Sequence, residues 1–121
     1  MKILIISHKL VFPTLDGGSL ATKKIFLDFK KEYKEVDIVA LKTKKEKLPV
    51  NTEQNKNQTL FTVNTSFNFS KLIMSFLNKK CYQVDRFYSK KISEKIIKII
   101  NRKKYDCVFF EGVFPSVYLN D

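Results

Sequence analysis

Residues 16–19, with the sequence DGGS, combine residue types that could bind an anion. Gly17 and Gly18 stand directly before a stretch of helical periodicity, and Ser19 follows them as a candidate helix cap. Glycines let the backbone come close to a ligand, and a helix start offers unpaired N–H groups and a positive dipole end. The pattern therefore indicates a seat for a phosphate or another anion. A simple tight turn is the alternative, because the chain contains neither GxGxxG nor GxxxxGK(S/T).

Glu111 is the second candidate, since it directly follows the apolar run at residues 108–110. At the carboxyl tip of a strand, a carboxylate can bind a sugar hydroxyl, orient a base or accept a proton. Ligands of open α/β sheets bind at this edge, so Glu111 would lie near the glycine pair if the first and fourth strands are neighbours. The alternative is that Glu111 caps the next turn or pairs with a surface lysine. His8 is interpreted as a loop residue.

The elements that must position these residues follow the order strand, helix, strand. The aliphatic run at residues 3–6 predicts a first strand that is buried on both faces. Apolar residues recur at helical spacing over residues 20–33, and a second apolar run covers residues 36–41. This order predicts a right-handed βαβ unit and a parallel sheet.

Further along the chain, composition predicts a polar surface loop, two more strands and two more helices. The loop covers residues 42–58, the strands residues 60–65 and 108–110, and the helices residues 69–77 and 87–103. Asn68 or Ser70 is the expected cap of the first of these helices. A helix or turn is expected to begin near Pro115.

Composition narrows the class of protein. The chain has 121 residues, with 23 Lys or Arg against 12 Asp or Glu, and its formal charge is +11. A hydrophobic content of 44% disfavours disorder, and no run approaches the roughly 18 apolar residues of a membrane-spanning helix. The opening KILIIS does not resemble a signal peptide, so a cytoplasmic location is expected. The cysteines at 81 and 107 and the single histidine predict no metal site.

A basic stripe is predicted on the long helix that precedes the fourth strand. Its four members fall within one sector of the helical wheel, beside a separate arc of isoleucines: Lys91, Lys95, Lys98 and Arg102. Such a stripe could face anionic lipid or nucleic-acid phosphate. The alternative is a solvated outer face on a lysine-rich protein.

Two segments resemble regions of the GT-B glycosyltransferases of the retaining family 4 (group 1) type. The first, MKILIISHKLVFPTLDGGSLATKKIFLDFKKEYKEVDIVAL, resembles the opening strand, Pro-containing loop, DGG or GG turn, helix and second strand of that family. The second, YDCVFFEGVFPSVYL, looks like its fourth-strand region, where a polar residue ends the strand and a helix begins. The resemblance covers most of the chain in layout, whereas specific residues match only at DGG and YDCVFFEG.

The resemblance implies an α/β fold with a Rossmann-like parallel sheet and flanking helices. Residues 1–121 would then form part of the N-terminal, acceptor-side domain of a GT-B enzyme, without the C-terminal donor-binding domain. By the same resemblance, Gly17, Gly18 and Ser19 lie near the donor's diphosphate. Glu111 stands near the position where many members carry a histidine next to the acceptor, which makes it the candidate catalytic residue.

The implied activity is transfer of a sugar from a nucleotide-sugar donor to a glycan or lipid-linked acceptor, with the nucleotide-sugar as substrate and no cofactor or metal. We expect the isolated chain not to transfer sugar, and we expect peripheral contact with the inner face of the cell membrane. The rival hypothesis is a non-catalytic basic α/β module that binds anionic membrane or nucleic acid. Nucleic acid is the less favoured partner, because the 11 phenylalanines lie mostly in apolar runs and no recognised binding motif is found.

Overall fold

Four parallel strands form one sheet within residues 1–48 and 55–119, the part of the chain that the computed structural model describes. The strands are β1 (Lys2–Ser7), β2 (Glu35–Thr43), β3 (Gln58–Val63) and β4 (Cys107–Glu111), in the spatial order β3-β2-β1-β4. Each pairing is parallel, so the carboxyl ends of all the strands lie at one edge. The predicted α/β class with a Rossmann-like parallel sheet is confirmed.

Helices connect the strands and cover both faces of the sheet. They are α1 (Gly17–Glu32), α2 (Phe69–Leu77), α3 (Tyr82–Asp85) and α4 (Lys90–Lys103), and a turn of 3₁₀ helix (Phe114–Tyr118) follows β4. The predicted cap of α2 is confirmed as Asn68, whose side chain accepts a hydrogen bond from the backbone N–H of Lys71.

The two hydrophobic cores use alternate residues of β1, because successive side chains of a strand point to opposite faces. Ile3 and Ile5 pack with Phe26 of α1, whereas Leu4 and Ile6 pack against α4. All four aliphatic residues of β1 are at most 3% exposed. Each contributes about 1.5–3 kcal/mol by burial, which explains why the run is continuous instead of alternating.

Helix α1 begins earlier than the sequence predicts, and the prediction that Ser19 caps it is wrong. The cap is Asp16, whose side chain accepts a hydrogen bond from the backbone N–H of Ser19 at 2.7 Å. A carboxylate at this position also complements the positive end of the helix dipole. Gly17 and Gly18 therefore lie in the first turn of α1 and not in a loop before it.

The connection into β4 also differs from the prediction at its start. Helix α4 begins at Lys90 instead of residue 87, and the short helix α3 precedes it. Phe87 lies between the two helices, where its ring stacks on that of Phe114 at 4.6 Å. The predicted loop at residues 42–58 contributes its first two residues to β2, and residues 49–54 of it lie outside the described residues.

Candidate functional site

Ser7 and Glu111 end neighbouring strands and meet at the carboxyl edge of the sheet. They are paired in the register of β1 with β4, and the Ser7 hydroxyl donates a hydrogen bond to Glu111 Oε2 at 3.0 Å. Ser7 is fully buried, whereas Glu111 is partly exposed. The first and fourth strands are thus neighbours, which was the condition for Glu111 to lie near the start of α1. Ser7 itself was not predicted as a site residue, although a polar residue at the end of an aliphatic run is a visible signal.

Lys9 connects this edge to the start of α1. Its backbone N–H donates to Ser7 Oγ at 3.0 Å, and its Nζ lies 2.7 Å from Asp16 Oδ2. Hydrogen bonds from the Lys9 ammonium and from Ser19 hold the pKa of Asp16 well below its usual range. The positive end of α1 is thus already complemented by a carboxylate, and Lys9 balances that carboxylate's charge.

The glycine pair faces open space on one side and Lys9 on the other. A Cβ built on Gly17 would meet no heavy atom within 4 Å. A Cβ on Gly18 would lie 3.2 Å from Lys9 Cε, the flexible part of a side chain that can move. Neither glycine is required by local packing, and Gly17 leaves room for an external group. Ser19, grouped with them by resemblance, is only 1% exposed and lies behind them.

His8 lies against the turn that follows Glu111. Gly112 has a φ of +88°, and a Cβ there would be 3.0 Å from His8 Cε1. The His8 ring also makes an edge contact with Phe114, with ring centroids 5.1 Å apart. Its Nδ1 is buried and has no hydrogen-bond partner. The interpretation of His8 as a loop residue is confirmed, and the structure adds that its ring packs beside the candidate carboxylate.

The basic stripe is exposed on α4, as the helical periodicity predicts. Ile92 and Ile96 of the same helix are buried against the sheet, while the four stripe residues point to the outside: Lys91, Lys95, Lys98 and Arg102. Lys95 Nζ lies 5.5 Å from the centroid of the Phe61 ring. Since α4 covers the face opposite α1, the stripe is separate from the glycine pair. Its contact with a membrane stays a prediction.

Together these residues form an edge that suits a polar, hydroxylated ligand. Glu111 offers acceptor oxygens and the start of α1 offers close backbone approach, while the Lys9 ammonium is already paired with Asp16. Within the described ranges, no group of three His, Cys, Asp or Glu side chains is placed to hold a metal ion. None of the helices in these ranges has the length and apolar character needed to cross a membrane.

Comparison of the chain with protein-family models, with curated proteins and with solved structures found no match. Functional inference for this protein therefore depends on the geometry of its sheet edge and surface.

Proposed function

We propose that this chain is the acceptor-side domain of a retaining glycosyltransferase that moves a sugar from a nucleotide-sugar to a glycan or lipid-linked acceptor. The observation that supports this proposal is that Ser7 and Glu111 meet at one edge of a parallel sheet, where Lys9 connects Ser7 with the glycine-led start of α1. Ligands of open α/β sheets bind at that edge. A second domain would grip the nucleotide, and the nucleotide-sugar is a substrate instead of a cofactor.

In this proposal Glu111 contacts a hydroxyl of the acceptor or of the transferred sugar. A carboxylate has about four lone-pair sites, so the single hydrogen bond from Ser7 leaves acceptor capacity for a ligand. Ser7 acts through Glu111 by fixing its orientation and is a positioning residue. Most of the rate enhancement would come from positioning and from stabilising charge on the leaving diphosphate.

Gly17 provides the test of this proposal, because its replacement separates folding from binding. Gly17→Ala places a methyl group in open space within a helix, and we expect unchanged stability or a gain of up to about 1 kcal/mol. If a diphosphate approaches the backbone here, the same methyl group obstructs it. Titration of the ¹⁵N-labelled chain with nucleoside diphosphates and nucleotide-sugars should shift the amide signals of Gly17 and Gly18, and Gly17→Ala should weaken that binding at least tenfold, about 1.4 kcal/mol.

Leu20→Ala is the matched control, since Leu20 is 61% exposed and lies in the same helix. It should leave the titration unchanged. Ligand-induced shifts confined to other parts of the chain, or equal weakening by both variants, would contradict the proposal. Sugar transfer by the isolated chain would contradict the expectation that a second domain is needed.

A second candidate function, peripheral membrane binding, is favoured by an exposed apolar patch on and beside α2. The patch consists of six large side chains that are each at least 45% exposed: Phe67, Phe69, Ile73, Met74, Phe76 and Leu77. Lys71, Lys79 and Lys80 lie within or next to this helix and are also exposed. Exposed apolar surface combined with lysines is typical of helices that lie in the membrane interface. The stripe on α4 would add attraction to anionic lipid at the inner face of the cell membrane.

Flotation with mixed phosphatidylcholine and phosphatidylserine vesicles tests this second function. Phe69→Ser with Phe76→Ser should lower vesicle binding more than tenfold, because burial of each aromatic side chain contributes about 1.5–3 kcal/mol. The free energy of unfolding of this double variant should stay within about 0.5 kcal/mol of the wild-type value, since both side chains are exposed. Leu20→Ser with Leu27→Ser removes exposed apolar residues from α1 and is the control. An equal loss of binding in both double variants would contradict a role for the patch.

A further inference from the structure

A pocket of about 500 Å³ opens where β3 ends, on the carboxyl edge of the sheet but separated from Ser7 and Glu111 by β2. Its walls come from the last residues of β3, the start of α2 and the residues that lead into α4. Hydroxyl and amide side chains, including Ser66 and Asn68, contribute to the lining. The pocket is therefore polar and large enough for a compact ligand.

The charged lining of this pocket is entirely basic. Lys71, Arg86 and Lys90 line it, and no Asp or Glu is among the described residues that do so. Within the described ranges none of the three forms an ion pair. The neighbouring carboxylate, Asp85, instead accepts a hydrogen bond from Ser75 Oγ at 2.8 Å. Three cations thus face a shared cavity without a protein anion to balance them.

Arg86 gives an independent indication that an anion belongs in the pocket. Its Nε atom is buried and has no hydrogen-bond partner. Buried donors are almost always paired, and leaving one unpaired costs free energy. Arg86 also lines the pocket, and a guanidinium binds tetrahedral oxyanions with paired, directional hydrogen bonds, so a phosphate there would give this side chain an anionic partner.

The start of α4 lies at the same pocket, and the backbone N–H of Ser89 there donates to the Tyr118 hydroxyl at 3.1 Å. Ser89 precedes the helix and lines the pocket, but its side chain makes no capping hydrogen bond. The first N–H groups of a helix lack intrahelical partners and carry the positive end of its dipole. Helix α4 has 14 residues, and its first residue is Lys90, so backbone and side chain place positive charge together.

We infer that this pocket binds a phosphate group, at the β3 end of the carboxyl edge and apart from the Ser7 and Glu111 site proposed for sugar transfer. Three cations, hydroxyl donors and an uncapped helix start match the charge and oxygen arrangement of a phosphate monoester or diester. The phosphate could belong to a lipid headgroup, since Phe67 and Lys71 join the pocket to the apolar patch, or to a soluble phosphate ester. The inference does not depend on glycosyl transfer.

Calorimetric titration with inorganic phosphate, at fixed pH and ionic strength, tests the inference. Lys71→Gln with Lys90→Gln should weaken phosphate binding at least about tenfold, because charge-assisted hydrogen bonds are lost. Lys44→Gln with Lys45→Gln removes the same charge from exposed positions that do not line the pocket, and should change the affinity less than about twofold. Arg86→Gln should abolish binding, whereas Arg86→Lys should retain part of it.

Two further measurements keep the test decisive. Phosphate should shift the amide signals of Ser89 and Lys90 and leave those of Gly17 and Gly18 in place. This result would distinguish the pocket from the site proposed for sugar transfer. If circular dichroism shows that Arg86→Gln does not fold, the inference is tested by comparing Lys71→Gln with Lys90→Gln against the control lysine pair, because all of these lysines are exposed. Equal weakening in both lysine pairs, or no detectable binding of phosphate, would overturn the inference.

Vesicles of phosphatidylcholine with phosphatidic acid identify the source of the phosphate. If Lys71→Gln with Lys90→Gln abolishes the preference for phosphatidic acid and inorganic phosphate competes with the vesicles, the ligand is a lipid headgroup. If inorganic phosphate binds but the preference is absent, a soluble phosphate ester is the ligand. Either result supports the pocket.

Discussion

Gly112 holds the backbone at the tip of β4 in a conformation that other residues rarely adopt. Its φ of +88° turns the chain sharply after Glu111, and its missing Cβ makes space for the His8 ring. The histidine thus has a packing role beside the candidate site.

Gly112→Ala should destabilise the protein by about 1–3 kcal/mol, because a Cβ strains the backbone and meets His8 Cε1 at 3.0 Å. Urea unfolding of Gly112→Ala, His8→Ala and the double variant separates these two causes. In the His8→Ala background, Gly112→Ala should cost only the free energy due to the strained φ, because the contact with the ring is gone. If Gly112→Ala lowers the free energy of unfolding by less than about 0.5 kcal/mol, the turn relaxes easily and the prediction is wrong.

Sequence reasoning found some of the site residues and missed others for a physical reason. The apolar run before Glu111 predicted its place at the tip of a strand, but left open whether that strand is a neighbour of the first, which the structure shows. The hydrogen bond from Ser7 joins residues separated by 104 positions, and the pair of Lys9 with Asp16 depends on how the loop folds. Side-chain pairing of this kind has no local periodicity, so the pattern of residues could not predict it.

At the scale of elements, long periodic segments were predictable and short ones were not. Each strand and the helices α1, α2 and α4 correspond to predicted segments, because burial on a sheet imposes regular apolar spacing. Their ends differ: α1 and β3 begin before the predicted residues, and α4 begins after them. Helix α3 has only four residues, less than the span over which periodicity can be read. The start of α1 was misplaced because both Asp16 and Ser19 are residue types that cap helices, and in the structure Asp16 is the cap.

Asp37 joins three elements at the amino edge of the sheet. Its Oδ2 accepts hydrogen bonds from Lys103 Nζ at 2.8 Å and from the Tyr105 hydroxyl at 2.6 Å, and its Oδ1 accepts one from Asn57 at 3.3 Å. Partial burial would raise the pKa of Asp37, yet these hydrogen bonds and the charge of Lys103 lower it overall. The same contact raises the pKa of Tyr105, because burial and the carboxylate both disfavour phenolate.

Asp37→Asn should therefore destabilise the protein by about 1–3 kcal/mol at neutral pH. Since the folded-state pKa is lowered, the ionised carboxylate stabilises the fold fully above its ordinary pKa of 3.8, and this contribution is lost as pH falls through the folded-state value. The difference between the wild type and Asp37→Asn should shrink below pH 3.8. Urea unfolding across that range measures it. Asp28→Asn, at an exposed pair with Lys24 and Lys31, should have the smaller effect at neutral pH, and an equal effect would contradict the assignment.

At the scale of the whole molecule, a parallel sheet with an open carboxyl edge carries a large excess of positive charge. The formal charge is +11, while the described residues form five ion pairs, most of them between well-exposed side chains. Exposed pairs contribute about 0–1 kcal/mol each, so they do not offset a net repulsion that acts over the whole surface. Part of this charge lies on the exposed lysines of α2 and on the stripe on α4, and part of it lines the pocket at the end of β3.

Salt should consequently stabilise the free protein and weaken its binding to anionic vesicles. The screening length falls from about 30 Å at 0.01 M to about 8 Å at 0.15 M salt, which reduces repulsion among surface lysines as well as attraction to lipid. We expect the thermal midpoint to rise with NaCl in a phosphate-free buffer, because phosphate would also act through the pocket. Replacing the exposed Lys44, Lys45 and Lys47 with Gln should raise the midpoint at low salt and flatten its salt dependence. If the thermal midpoint instead falls with NaCl, attraction within ion pairs outweighs repulsion among the surface lysines. The fold would then tolerate its excess charge without an anionic partner.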